Sequence, residues 1–287
     1  MGILEGKSAV VTGAGRGLGQ AFALAMAAEG ASVLANDLDA AAAQTTADMI
    51  KAQGGRSSVS AANVADWNAA RALIDQCARE FGKVDAVVAN AGVTHHAMIW
   101  EETEEAFDET VSVNMKGVFN VARRALDYMI PARAGSLVLI TSAAQSGYLG
   151  RSVYGGTKGA VASFTYTWAL DLADKGVRVN AIAPTAQTRM SVRPIPPGQP
   201  VPHLRRPETI APFIAYLASD LSMGVTGQVF RLDGDAIAVY SHPRPKPPAT
   251  HVGGWTIDAL RRHFDASIGR YLEHVGLDSA QPARKRP

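Results

Sequence analysis

The segment "SAVVTGAGRGLGQAFALAMAAEG" (Ser8–Gly30) decides the fold of this chain. It opens with a short β-branched run typical of a buried strand, turns through a cluster of glycines and continues as a helical pattern. Glycines let the backbone turn tightly and let a pyrophosphate approach main-chain N–H groups at a helix N-terminus, where the dipole favours anions. The glycines at 13, 17 and 19 do not follow the GxGxxG spacing. Their position between the first strand and the first helix nevertheless indicates a dinucleotide-binding turn.

The same strand-then-helix pattern continues along the chain. Apolar runs such as "ASVLAND", "VDAVVAN", "GSLVLITS", "VRVNAIAP" and "GQVFRLDG" alternate with longer helical segments, two of which are predicted at Glu104–Met129 and Ser152–Asp174. Continuous apolar strands separated by helices are typical of a parallel sheet covered on both faces. Because such crossovers are right-handed, we predict an α/β fold: a Rossmann-like, doubly wound parallel sheet of about seven strands, flanked by helices on both faces.

The pattern predicts one catalytic domain over residues 1–235 and a C-terminal extension over residues 236–287. The extension starts with the apolar run "AIAVYS", passes through the extended, proline-rich "HPRPKPPATH" and ends in a predicted amphipathic helix. The apolar stripe of that helix would consist of Ile257, Leu260, Phe264, Ile268, Tyr271 and Val275. We expect this stripe to cover a surface of its own subunit or of a neighbour.

Composition excludes several classes of protein. The chain has 287 residues, of which 47% are hydrophobic and 19% charged, as expected for a globular enzyme rather than a disordered protein. A net charge of +2, partly located in the final "ARKRP", is too small for a nucleic-acid groove. The single cysteine, Cys77, excludes an internal disulfide framework and a thiolate metal cage. We find no signal sequence and no membrane-spanning run, and we expect a cytoplasmic protein that binds no metal.

Asp37 ends the second predicted strand, in "LANDLD". An acid at this place can accept hydrogen bonds from the adenosine ribose hydroxyls and would repel a 2′-phosphate. The alternative is that Asp37 is a turn residue or a helix N-cap, a role that Asp39 could equally fill.

A second notable segment is "RSVYGGTKGAV" (Arg151–Val161), which lies in a predicted helix although it contains three glycines. Tyr154 and Lys158 are four residues apart and therefore share one helix face. A phenol beside an ammonium on a face cleared of large side chains indicates a reactive site. The alternative is an exposed tyrosine and lysine near a loosely formed helix start.

Six motifs together resemble those of the short-chain dehydrogenase/reductase family. They are "TGAGRGLG", "ANAG", "VNMKG", "ITSAA", "YGGTK" and "VRVNAIAP", in the order seen in that family, over roughly the first 235 residues. The resemblance implies an NAD(P)-dependent oxidoreductase that interconverts a secondary alcohol and a ketone. The catalytic residues that it implies are Asn114, Ser142, Tyr154 and Lys158.

The chemistry explains why such residues are needed. Hydride transfer to a carbonyl leaves an alkoxide that requires a proton, and the reverse reaction requires a base. A phenol with an ordinary pKa of about 10 is a poor base at neutral pH unless a cation favours the phenolate. Lys158 can supply that cation, and by resemblance it also binds the nicotinamide ribose. Ser142 would hydrogen-bond the substrate oxygen, and Asn114 would, by resemblance, hold a water that connects the lysine to solvent.

The chain departs from the family pattern at several positions. The Ser142–Tyr154 interval is one residue shorter than usual, which puts Thr141 at the usual separation, but the strand-end context "LITSAA" favours Ser142. Asn63 stands where an aspartate usually contacts the adenine, and Thr185 replaces a glycine after Pro184. "ANAG" stands where "NNAG" is common.

The resemblance also implies a set of cofactor-binding positions. They are Gly13, Arg16, Gly17, Leu18, Gly19, Asp37, Asn63, Val64, Asn90, Ala91, Gly92, Tyr154, Lys158, Pro184 and Thr188. Within this set, a basic residue at Arg16 often accompanies NADP in the family, whereas an acid at Asp37 accompanies NAD. We expect Asp37 to dominate, so NAD is the predicted cofactor and NADP the less favoured one.

The substrate-binding residues are predicted to be Ser142, Tyr154, His95 and Met190. Met190 lies in the proline-rich stretch 188–207, where the family has a substrate lid, and Val192 and Ile195 could also face substrate. His95 either lines the pocket or belongs to an exposed loop. Candidate substrates are 3-hydroxyacyl thioesters, steroids or cyclic alcohols.

Two other functions use the same kind of domain. The chain could be a non-catalytic dinucleotide-binding sensor or scaffold, although the complete Ser, Tyr, Lys and Asn set argues against this. An epimerase or dehydratase is a minor alternative.

By resemblance, the two long helices pair across a two-fold axis, so we expect a homodimer or homotetramer whose only other partner is the alcohol or ketone substrate.

Overall fold

The computed structural model describes residues 2–186 and 206–273. Its strands are β1 (Ser8–Thr12), β2 (Ser32–Asn36), β3 (Ser57–Ser60), β4 (Ala86–Ala89), β5 (Gly135–Ile140), β6 (Val177–Thr185), β7 (Val229–Asp233) and β8 (Ala236–Val239). Its α-helices are α1 (Gly17–Ala28), α2 (Ala40–Ala52), α3 (Trp67–Phe81), α4 (Glu104–Val111), α5 (Val118–Ala132), α6 (Ser152–Asp171), α7 (Ala211–Ala218) and α8 (Ile257–His263).

The strands form one sheet in the order β3-β2-β1-β4-β5-β6-β7-β8. Neighbouring strands are parallel from β3 to β7, and successive strands are added first on one side of β1 and then, from β4 on, on its other side. The predicted Rossmann-like, doubly wound fold is therefore confirmed. Because the strand order reverses between β1 and β4, a crevice opens at the carboxyl ends of these two strands, where such folds bind ligands.

The eighth strand differs from the prediction of about seven parallel strands. β8 pairs antiparallel with β7 through a tight turn in which Gly234 has a φ of +59°, a conformation that favours glycine. The run "AIAVYS" was expected only as part of the extension. The prediction of the strands depended on strands that alternate with helices. β8 follows β7 directly, without an intervening helix, so that pattern did not predict it.

Two apolar cores cover the two faces of the sheet. Successive strand residues point to opposite faces, so Val10 and Val11 belong to different cores. Side chains of α1 and α7 cover one face, and those of α3, α5 and α6 cover the other. Cys77 on α3 lies in the second core, where burial raises the pKa of its thiol to about 12.

The two long predicted helices are present with small differences. The helix predicted at 104–129 is formed by α4 and α5, which are joined without interruption by a π-helical segment, Ser112–Gly117, and end at Ala132, three residues beyond the prediction. α6 ends at Asp171, three residues before the predicted end at Asp174. Within residues 2–186 and 206–273, no helix is long and apolar enough to cross a membrane.

The first compact unit of the chain runs to Tyr240 and so includes β8, and a second unit begins at Ser241. In the second unit the long amphipathic helix expected from the sequence is replaced by the seven-residue α8 and a separate turn at Gly269–Tyr271. The Ser267 hydroxyl donates to the carbonyl oxygens of His263 and Phe264, a side-chain bond that competes with helix continuation. Ile257 of the expected stripe is 68% exposed. Val275 lies outside the described residues.

Candidate active site

The glycine-rich turn between β1 and α1 closes tightly. Gly13 and Gly17 have φ values of +64° and +55°, and a Cβ on Gly19 would lie 2.0 Å from the Gly13 carbonyl oxygen. Arg16 precedes α1, and no side chain in the described part of the chain caps the first turn of this helix. The N–H groups of that turn are therefore available to a ligand, and the residues present fit a dinucleotide pyrophosphate.

Asn90 attaches the end of β4 to the glycine turn. Its Nδ2 donates to the carbonyl oxygens of Thr12 and Gly13 at 2.9 and 3.1 Å. The Thr12 hydroxyl in turn accepts from the backbone N–H groups of Asn90 and Ala91, both at 3.0 Å. The side chain that the resemblance placed among the cofactor contacts thus holds the two loops on either side of the crevice together.

The structure separates the roles of the two acids after β2. Asp39 is the N-cap of α2, because its carboxylate accepts from the Ala42 N–H at 3.1 Å. Asp37 instead accepts from the N–H of Gly15 at 2.9 Å and of Asp39 at 3.0 Å, which turns it toward the glycine loop. Arg16 forms an ion pair with Asp39 at this edge, and both side chains are about half exposed.

The remaining predicted cofactor positions differ in burial and in contacts. Asn63 is exposed, and its Oδ1 accepts from the Ala65 N–H at 3.0 Å, whereas the neighbouring Val64 is buried. Leu18 packs against the core beneath α1, and Pro184 lies near the end of β6. Thr188 lies outside the described residues, as do Met190, Val192 and Ile195.

Ser142, rather than Thr141, lies beside Tyr154. Ser142 follows β5 and begins a short 3-10 turn, where its hydroxyl accepts from the Ala144 N–H at 3.2 Å. Burial raises the pKa of the Tyr154 phenol, and the nearby Ser142 side chain lowers it by a smaller amount through hydrogen bonding. The Thr141 hydroxyl is instead buried and donates to the Lys158 carbonyl oxygen at 2.7 Å.

Lys158 lies one turn beyond Tyr154 and is 3% exposed. Its Nζ donates to the Ile140 carbonyl oxygen at 2.7 Å and lies 5.7 Å from the centroid of the Tyr154 ring. Burial lowers the pKa of Lys158 to about 8. The ammonium is thus close to the phenol, as the spacing predicted, but it is bonded to the backbone.

Asn114 connects this pair to the loop after β4. It lies in the π-helical segment and is buried, with Oδ1 accepting from the Val93 N–H and Nδ2 donating to the Val93 carbonyl oxygen, both at 2.8 Å. A Cβ on Gly92 would lie 3.1 Å from Asn114 Oδ1 and 3.8 Å from Lys158 Nζ. The fold therefore brings Asn114, Gly92 and Lys158 together from three separate segments.

The glycines that follow Tyr154 have different surroundings. A Cβ on Gly155 would lie 2.8 Å from the Ala144 carbonyl oxygen, so glycine lets α6 approach the turn that begins with Ser142. At Gly156 and Gly159 a Cβ would meet no atom of the described residues within 4 Å. Close packing explains only the first of the three.

His95 forms a hydrogen-bonded pair with Glu109 of α4, at 2.8 Å between Nε2 and Oε2. Both side chains are partly exposed, so the histidine connects the loop after β4 to α4. The described residues contain no group of three or more His, Cys, Asp or Glu side chains placed to hold a metal ion.

Sequence reasoning missed Arg151. Its guanidinium carbon lies 5.2 Å from the centroid of the Tyr154 ring, and its Nη1 donates to the Thr94 hydroxyl at 2.5 Å. The available signal was its position three residues before Tyr154, a spacing that places two side chains on neighbouring parts of a helix surface.

Comparison with known proteins identifies the class to which this fold and site belong. The pattern of the short chain dehydrogenase family matches residues 7–194. A curated relative, 3-oxoacyl-[acyl-carrier-protein] reductase FabG of Thermotoga maritima, is 35% identical over 243 residues, covering 82% of this chain and 99% of the relative. The chain belongs to the short-chain dehydrogenase/reductase family, whose members are oxidoreductases of ketone and alcohol groups and use nicotinamide dinucleotides.

Solved structures agree with this assignment. A short chain dehydrogenase from Mycobacterium avium superposes with a TM-score of 0.88 at 34% identity, covering 97% of this chain and all of the other. A 7α-hydroxysteroid dehydrogenase in complex with NADH and 7-oxoglycochenodeoxycholic acid gives a TM-score of 0.75 at 31% identity, covering 80% of this chain and 94% of that one.

Proposed function

We propose that this protein interconverts a secondary alcohol and a ketone, with NAD(H) as its cofactor and Tyr154 as its acid/base. One observation carries the proposal: the side chains of Ser142 and Tyr154 lie close enough for hydrogen bonding to act on the phenol, and the buried Lys158 lies one helical turn further along. Two hydroxyl groups that meet at the carboxyl end of a parallel sheet can together hold a carbonyl oxygen.

The cofactor would lie across the crevice between β1 and β4. The first turn of α1 would hold its pyrophosphate, Asp37 its adenosine ribose and Lys158 its nicotinamide ribose. When bound, NAD(H) supplies or accepts the hydride.

The protein side chains manage the proton. In the reductive direction Tyr154 donates its hydroxyl proton to the substrate oxygen, and in the oxidative direction its phenolate accepts the alcohol proton. Ser142 holds the same oxygen and orients it toward the phenol. Asn114 fixes the backbone at Val93 and so keeps the floor of the site beside Lys158 in place.

The arrangement of charges supports NAD over NADP. Asp37 faces the glycine loop and would meet a 2′-phosphate with like charge at short range, whereas the charge of Arg16 is already paired with Asp39. The 7α-hydroxysteroid dehydrogenase to which this chain is similar was solved with NADH.

The substrate class is proposed from the relatives. The Thermotoga maritima protein is named a 3-oxoacyl-[acyl-carrier-protein] reductase, and the steroid dehydrogenase holds a 7-oxo bile acid. We therefore place 3-oxoacyl thioesters, steroids and cyclic ketones in the first test panel.

The assembly is proposed to be a homodimer or homotetramer that pairs α4, α5 and α6 across a two-fold axis. Apolar side chains stand exposed on these helices, among them Phe107 at 49%, Phe119 at 41% and Leu170 at 78%. Sedimentation of the unmodified chain and of Leu170→Glu tests this, and a monomeric unmodified chain would contradict it. The proposed site of action is the cytoplasm, which fits the single buried Cys77.

The function is tested by following NADH absorbance with the ketone panel. Turnover by the unmodified chain and its loss in Tyr154→Phe, with cofactor affinity unchanged, would support the proposal. Cofactor binding without turnover on any substrate would favour a dinucleotide sensor instead. A product formed without net change in NADH would favour an epimerase or dehydratase.

A further inference from the structure

Arg151 is held firmly at the start of the catalytic helix. Its backbone pairs with Ala97 in an isolated parallel bridge, its N–H donates to the Tyr148 carbonyl oxygen at 3.2 Å, and its carbonyl oxygen accepts from the Gly155 N–H at 2.8 Å. The turn before α6, the loop after β4 and the first turn of α6 therefore all position this residue.

The side chain is directed at the catalytic phenol. The Thr94 hydroxyl accepts from Nη1 at 2.5 Å, and the guanidinium carbon lies 5.2 Å from the centroid of the Tyr154 ring. This is closer than the Lys158 ammonium, which lies 5.7 Å from the same centroid. Two cations thus lie near one phenol: Arg151 precedes Tyr154 in the sequence, and Lys158 follows it.

The two cations are engaged differently. Lys158 donates to the Ile140 carbonyl oxygen, and burial lowers its pKa to about 8, so its charge is lost as the pH rises above that value. A guanidinium keeps its charge over the whole range in which a protein is stable. Burial raises the pKa of Tyr154, and hydrogen bonding with Ser142 and the charge of Arg151 lower it by smaller amounts.

The elements that pack against the start of α6 carry other charged groups. Glu102 accepts a hydrogen bond from the Ser152 hydroxyl at 3.3 Å, next to Arg151 in the chain. On α4, Glu109 is paired with His95. These carboxylates are anions and disfavour a phenolate, so the cations beside the ring must outweigh them.

We propose that Arg151 is a positioning residue of the reaction: its guanidinium, fixed by Thr94 against the Tyr154 ring, stabilises the phenolate and sets the pH at which Tyr154 becomes a base. The inference rests on the proposed function, which assigns the acid/base role to Tyr154. From the sequence, the stabilising charge was expected from Lys158 alone.

The sign of the effect follows from the charge. Removing a cation beside the ring disfavours the phenolate, so the pKa of Tyr154 rises. In the oxidative direction the phenolate is required, and the rising limb of the pH profile of kcat/KM moves to higher pH. An opposite charge at this range shifts a pKa by about one unit or more, so we expect the limb in Arg151→Gln to move upward by about one pH unit.

Three further variants separate charge from structure. Arg151→Lys keeps a positive charge and should restore most of the original profile. Thr94→Val removes the hydroxyl that holds the guanidinium and should give a smaller upward shift. Arg79→Gln, on the exposed surface of α3, removes one positive charge away from the site and should leave the profile unchanged.

A direct titration of the phenol makes the test independent of turnover. The ultraviolet absorbance change on ionisation is recorded for each variant with and without Tyr154→Phe, and the difference isolates this tyrosine. An upward shift in Arg151→Gln that Arg151→Lys reverses would support the inference. A uniform loss of kcat/KM with an unmoved inflection and an unmoved titration would overturn it and leave Arg151 as a structural anchor.

Other failures are distinguishable. If Arg151→Gln does not fold, Thr94→Val decides: an upward shift supports the inference and an unmoved inflection overturns it. If Tyr154→Phe keeps the full rate, the proposed function fails, while the titration still reports whether Arg151 acts on the phenol.

Discussion

The two ends of the crevice are built in opposite ways. At the proposed adenosine end the backbone would bind the cofactor, since the glycine turn and the first turn of α1 present N–H groups within one short segment, and Asp37 bonds directly to that segment. At the proposed catalytic end side chains would act, and they come from the π-helical segment, the turn after β5 and α6. A local backbone site tolerates changes of side chain but not an added Cβ, whereas a dispersed side-chain site depends on each functional group.

The largest expected effect is at the catalytic end. Tyr154→Phe removes the exchangeable proton while keeping the ring, so turnover should fall by about three orders of magnitude and NADH affinity should stay nearly unchanged. Steady-state kinetics and a fluorescence titration of NADH measure the two quantities. If the turnover of Tyr154→Phe were near that of the unmodified chain, the catalytic end would not depend on the tyrosine hydroxyl, and the contrast with the backbone site at the adenosine end would be contradicted.

Lys158→Met should lower kcat/KM by about a hundredfold and also weaken cofactor binding, because the lysine is proposed to serve both the phenol and the nicotinamide ribose. The same change should stabilise the fold. The pKa of Lys158 in the folded chain is about 8, below its ordinary value of about 10.4. Below pH 8, the buried ammonium therefore lowers the free energy of unfolding by about 3 kcal/mol.

This cost disappears as the pH rises from about 8 to above 10, because the folded chain then releases its proton before the unfolded chain does. Denaturant unfolding of both proteins at several pH values measures the difference. We expect Lys158→Met to be the more stable protein at pH 7 and the gap to narrow at high pH. A constant gap would mean that the ammonium is not responsible.

At the adenosine end, Gly19→Ala should act through the backbone. Its Cβ would lie 2.0 Å from the Gly13 carbonyl oxygen, so the turn must open. Overpacking of about 1–3 kcal/mol corresponds to a loss of cofactor affinity of about 5- to 150-fold, with little change in kcat at saturating cofactor. Gly156→Ala is the matched control, because a Cβ there meets no atom of the described residues within 4 Å. Equal effects of the two substitutions would contradict the backbone explanation.

The smallest expected effect concerns the choice of cofactor. The unmodified chain should prefer NAD(H) over NADP(H) by about tenfold, roughly 1.4 kcal/mol, and Asp37→Ala should narrow this preference. The kcat/KM values for both cofactors measure it, with Asp39→Asn as a comparison that changes the α2 N-cap and the partner of Arg16. Better kinetics with NADP(H) in the unmodified chain would make Arg16 the selector.

The same contrast explains what could be predicted from the sequence. The glycine turn, Asp37 at the end of β2 and the Tyr154–Lys158 pair are local patterns, and the strand–helix alternation predicted the fold. The hydrogen bond of Asn90 to the glycine turn, the contact of Asn114 with Val93 and the approach of Arg151 to the phenol join residues distant in sequence, or depend on how a side chain is directed. Sequence spacing alone does not contain that information. The antiparallel β8 and the shortened α8 were missed because periodicity predicts neither hairpin pairing nor side-chain competition for helix carbonyls.

The burial of Cys77 has a practical consequence for measurements of conformational change that use thiol-reactive labels. It is the chain's only cysteine, and a thiol with a pKa of about 12 inside a core offers almost no thiolate to an alkylating dye at neutral pH. A cysteine introduced at an exposed position outside the proposed interface, such as Lys51 on α2, would therefore be the single reactive site. The chain therefore needs no removal of Cys77 before fluorescent or spin labelling of an introduced cysteine.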